Sequence, residues 1–142
     1  MPYREKTAWL SLTAMAIAFV PYFAIVQASS YSRPSVPSLR QLGLFAVAAV
    51  VQMAILGIGH LYLNHGSPEE ARTPPDERDA AIMRRSVSFA YYVLIGGMIL
   101  VGCVMPFNSS GWTIINAALA MIVLAEVVHY GMVVFSYRRQ KA

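Results

Sequence analysis

The sequence predicts an all-α polytopic membrane protein with four transmembrane helices and both termini cytoplasmic, and three observations predict it. First, the 142 residues are 57% hydrophobic and 13% charged, with a mean hydropathy of +0.52. A soluble domain carries about a quarter charged residues. Second, the charges leave long gaps: none falls between Lys6 and Arg33, between Arg40 and Glu69, or between Arg85 and Glu126. A hydrocarbon core of about 30 Å needs roughly 20 apolar residues per helical crossing, and residues 8–27, 41–63, 87–105 and 113–135 supply them. The third gap is too long for one helix and is divided by Pro106, Asn108, Ser109, Ser110 and Gly111, which have turn chemistry. Third, nine of the eleven Lys and Arg lie in the N-terminal tail, the central loop and the C-terminal tail, which the positive-inside rule assigns to the cytoplasm. The whole chain reads as one transmembrane domain.

The net charge of +4 therefore reports topology rather than a nucleic-acid surface, since no basic stripe is interleaved with aromatics. Juxtamembrane Arg84, Arg85, Arg138, Arg139 and Lys141 are expected to face anionic lipid headgroups. The single cysteine, Cys103, is expected to be a small packed residue in the third span.

In the first span, Arg4 and Lys6 ahead of an apolar run imitate a secretory signal. The run is too long for that, and Trp9, Tyr22 and Phe23 give it the aromatic edges of a retained helix. Pro21 is expected to bend or end this helix. Ser11, Ala14 and Ala18 form a small-residue stripe for close helix contact. Residues 28–40, rich in Ser and Pro, read as an exposed connector. In the central loop Thr73, Pro74 and Pro75 break the chain, Asp76 offers an N-cap, and Glu77 and Asp79 suit the first turn of a helix. The third helix should thus begin near residue 76 and enter the bilayer near 87.

The stretch Asp76-Glu77-Arg78-Asp79, followed by Ile82, Arg84, Arg85 and Ala90-Tyr91-Tyr92-Val93-Leu94, resembles the signature of an uncharacterised family of small four-helix membrane proteins of bacteria and archaea, a domain of unknown function. The resemblance covers about nineteen residues. It implies the fold and the orientation, and no activity. The chain as a whole reads as a multi-pass protein of the bacterial cytoplasmic (inner) membrane.

Glu126, inside the fourth span, is the sharpest candidate for chemistry, because a carboxylate at depth must be paired, protonated or open to a cavity. His129 follows one turn later on the same face as Ala118, Ile122, Ala125 and Val133, which is expected to point into the bundle. The plainest expectation is a Glu126–His129 pair or a neutral Glu126 bonded to a neighbouring helix. With His60 and Gln52 of the second span and Tyr91 of the third, these residues could form a buried polar or proton site, provided their faces converge.

The leading reading is a small structural or interaction module that packs with itself or with another membrane protein, helped by Gly57, Gly59, Gly96, Gly97 and Gly102. The first alternative is a proton-coupled small-molecule transporter using Glu126, with His129 or His60 as relay. The second is a haem-binding protein using His60 and His129 as ligands. Otherwise no cofactor is expected. No metal site is expected either, because the Glu-x-x-His spacing at 126–129 lacks further carboxylates in the spans. An enzyme is not expected: there is no phosphate-binding Gly-rich loop, zincin motif or nucleophile elbow.

Overall fold

A computed structural model describes residues 2–28, 39–109 and 111–139. Arg33, Lys141 and most of the Ser/Pro connector lie outside the described residues. The elements are α1 (Tyr3–Ala28), α2 (Leu39–Gly66), a short α3 (Pro68–Arg72), α4 (Glu77–Ile99) and α5 (Trp112–Arg139). Four of these are long and apolar enough to cross a membrane, α4 together with the turns that extend it to Phe107.

Local chemistry sets the helix ends. Asp76, extended at φ −65° and ψ 158°, caps α4 by accepting a hydrogen bond from the Glu77 amide at 2.7 Å, and Glu77 and Asp79 follow in the first turn, where the macrodipole favours negative charge. At its other end α4 widens into a π-turn, Leu100–Val104, and tightens into a 3-10 turn, Met105–Phe107. Pro106 accounts for both, since its ring clashes with the carbonyl four residues back and it has no N–H to give. Gly111 then takes φ 56°, a left-handed conformation that glycine adopts without penalty. Pro21 does not end its helix: α1 runs through it to Ala28. One missing donor does not end a helix whose neighbours hold it in place.

Helix α1 is the spine. It packs on α2 and α5, and α5 packs in turn on α4, whereas α2 and α4 share no comparable packing. The bundle is therefore open on one side. Burial follows the same order: 28% of the apolar window of α1 is buried, against 6% in each of α2 and α4. The expected stripe on α1 is its packing face, with Ser11, Ala14 and Ala18 all buried. Two apolar clusters result. Ala8, Ile82, Val133, Val134 and Tyr137 join α1, α4 and α5, and Met15, Ala18, Phe19, Tyr22 and Ala48 join α1 to α2.

Two glycines work as the small-residue rule requires. A side chain at Gly59 would meet Leu10 of α1, and one at Gly97 would meet Met121 of α5. Gly57, Gly96 and Gly102 have open space where a side chain would stand, so they mediate no close contact among the described residues. Cys103, expected to be packed, is exposed, because the helix that carries it has a single covered side, facing α5.

Candidate functional site

The polar chemistry concentrates at the end of the bundle where Tyr3, Gly66, Glu77 and Arg139 meet, hereafter the proximal end. Arg4 Nε stands 3.1 Å from Asp79 Oδ2, linking the first turns of α1 and α4. The Tyr137 hydroxyl donates to the other oxygen of Asp79, so α5 joins the same carboxylate. Glu5, 1% exposed, has Arg138 Nε at 3.9 Å, and the Arg138 guanidinium also lies 5.2 Å from the Trp9 ring centre. The Tyr3 hydroxyl donates to Asn64 near the end of α2, and Lys6 reaches Glu70 of α3 at 3.9 Å. All four long helices are thus tied together at this end, and the described parts of the N- and C-terminal helices meet there.

Beneath these ties is a half-open cavity of about 320 Å³ lined from all five helices: Tyr3, Arg4, Thr7 and Ala8 of α1, His60 of α2, Glu70 and Ala71 of α3, Met83 of α4, and Tyr130 and Val133 of α5, with Thr73 at the rim. The close approach of α2 to α1 at Gly59 and Leu10 is what brings His60 beside Thr7. Cation and carboxylate thus line the same space with apolar side chains.

Val133 also fixes the direction in which Glu126 points. Seven residues are close to two helical turns, about 10 Å of rise, so Glu126 sits above Val133 on one face of α5. Ile122 and Ile115 share that face. The surroundings differ from the expectation. Val133 is covered by Ala8 and Ile82, but Glu126, Ile122 and Ile115 are exposed, and among the described residues no element closes the side between α2 and α4.

The polar residues singled out from the sequence do not converge. Glu126 makes no hydrogen bond or ion pair with any described residue, and the Glu126–His129 pair is absent. His129 is half-buried with its ring 4.7 Å from that of Tyr130, and its Nδ1 is buried without a hydrogen-bond partner among the described residues. His60 of α2 lines the proximal cavity and has no hydrogen bond to Glu126 or His129. Gln52 is half-buried on α2, and Tyr91 is exposed on α4, in edge contact with Tyr92. Among the described residues no group of three or more His, Cys, Asp or Glu is arranged to hold a metal ion.

Of the basic residues expected at lipid headgroups, Arg84, Arg85 and Arg139 are exposed, Arg85 with its guanidinium 5.9 Å from the Phe89 ring. Arg138 is instead engaged by Glu5 and Trp9. The residues that sequence reasoning missed are Arg4, Glu5, Asp79 and Tyr137. A signal was present for Glu5: it precedes Ala8 and Ser11 at helical spacing, which puts a carboxylate on the packing stripe of α1.

No family model matches the chain, and no curated protein or solved structure matches it significantly.

Proposed function

We propose that this chain is a multi-pass protein of the cytoplasmic membrane whose role is assembly: two copies associate through the open side between α2 and α4, with the proximal end in the cytoplasm. The excess of Lys and Arg in the segments at that end supports the orientation. The observation that carries the reading is Glu126, exposed and without a partner among the described residues, on a helix of a bundle whose α2 and α4 do not pack on each other. A charged side chain at the centre of a span costs about 3 kcal/mol on insertion scales, and a protonated carboxyl still needs partners. A carboxyl group both donates and accepts, so in a two-fold interface it satisfies its own symmetry mate. Two-fold dimers are the commonest closed assembly.

Disulfide trapping in native membranes tests this. With Cys103→Ser as background, Ile122→Cys should give a crosslinked dimer on mild oxidation, while Phe135→Cys, on another exposed face of α5, should not. Failure of Ile122→Cys to crosslink, or equal crosslinking at both positions, overturns the proposal.

A second reading, proton-coupled transport, is favoured by one observation: a single face of α5 runs from the proximal cavity at Val133 to Glu126. Glu126→Gln separates the two. The amide still donates and accepts, so assembly survives, whereas a titrating carboxylate is lost and any pH-dependent flux should vanish with it.

A further inference from the structure

Arg4 and Met83 belong to two adjoining hollows. One is the cavity that contains His60. The other is a groove of about 580 Å³ along α4, lined by Arg4, Asp79, Met83, Arg84, Val87 and Ser88 among others. Both carboxylates bordering this space are already answered. Asp79 is held by Arg4 and Tyr137, and Glu70 has Lys6 at 3.9 Å. Positive charge is left over. Arg84 has no carboxylate within ion-pair distance among the described residues. Arg4 meets Asp79 through Nε, and a guanidinium carries five N–H donors, so it keeps donors for another acceptor.

The same groove is amphipathic along its length. Arg84 lies at its polar part, and Met83 and Val87, both exposed, form an apolar wall. No charged residue follows Arg85 in α4, so this is the level at which a bilayer changes from headgroup to acyl chain. Basic pockets between membrane helices at this level are suited to anionic lipid headgroups.

We propose that the groove and the adjoining cavity bind one anionic phospholipid, its phosphate between Arg4 and Arg84 and an acyl chain along Met83 and Val87. A free phosphate would satisfy the cations alone and leave the apolar wall bare. A zwitterionic lipid would bring its own cation against the two arginines.

The test is thermal unfolding of the full chain in mild non-ionic detergent, titrated separately with phosphatidylglycerol, phosphatidylcholine and inorganic phosphate. Phosphatidylglycerol should raise the melting temperature at concentrations at least about tenfold below those needed with phosphatidylcholine, and phosphate should have little effect. Arg84→Gln should weaken the phosphatidylglycerol response about tenfold, the scale of one lost charged contact. Val87→Trp, which fills the groove at an exposed position, should do the same, and Arg40→Gln, exposed at the start of α2 and far from the groove, should leave it unchanged. Equal responses to the two lipids, a full response to phosphate alone, or a wild-type response from both Arg84→Gln and Val87→Trp would each overturn the proposal. The crosslinking test reads Ile122→Cys on α5 and this one reads the lipid response of Arg84 and Val87 variants on α4, so different residues and different measurements decide the two proposals.

Discussion

Arg4 Nε lies 3.1 Å from Asp79 Oδ2, and the Tyr137 hydroxyl donates to the same carboxylate, so one acidic side chain joins the first turns of α1 and α4 to the last turn of α5. Each partner belongs to a different spanning helix and all three lie at the proximal end. The carboxylate is only partly exposed, which makes loss of a partner more costly than at an open surface.

Asp79→Ala should therefore destabilise the protein by about 2 to 3 kcal/mol, since it leaves Arg4 and Tyr137 without their shared acceptor. Asp79→Asn keeps an acceptor for Tyr137 and should cost less. Tyr137→Phe removes a single hydrogen bond and should cost about 1 kcal/mol. Reversible unfolding in detergent micelles orders the three; equal stability of Asp79→Ala and wild type would refute the junction.

Adjacent glycines give a sharper contrast. Gly97 is filled from across the interface by Met121, whereas Gly96 faces open space. Gly97→Ala should push Met121 aside and destabilise by about 1 to 3 kcal/mol, the usual scale of overpacking. Gly96→Ala should be neutral or slightly stabilising through helix propensity. Unfolding measured side by side decides it, and the reverse order would mean that α4 is rotated relative to α5.

Glu5 and Arg138 form an asymmetric pair: Glu5 is 1% exposed, while the Arg138 side chain is 61% exposed. The Arg138 side chain stands mostly in the open at 3.9 Å from Glu5, so Arg138→Gln should cost about 1 kcal/mol or less. Glu5→Ala takes a buried group out of the packing stripe and should cost about 3 kcal/mol. A larger loss from Arg138→Gln than from Glu5→Ala, read from melting curves, would contradict this placement.

The four long helices were legible because lipid demands a period of charge-free length, and that signal survives in a single sequence. The start of α4 was legible for a local reason: Asp76 caps the helix, and capping depends on a few adjacent residues. Partnership was less legible. Asp79 appears in sequence only as a suitable first-turn charge, and its link to Arg4 spans 75 positions. Helical spacing puts Glu126 on one face of α5 with Val133, but its exposure was not legible, because that depends on α2 and α4 failing to pack. Gly59 and Gly57 make the same point, two residues apart on one helix, one in contact with Leu10 and the other in open space.

The central claim is that the chain crosses a membrane four times and returns its ends to one face, where Glu5 meets Arg138. Reporter fusions that are active on only one side of the membrane, placed in turn at each end of the chain, test it most directly. Both ends should report the cytoplasmic face; ends on opposite faces, or recovery of the protein in the soluble fraction without detergent, would contradict it.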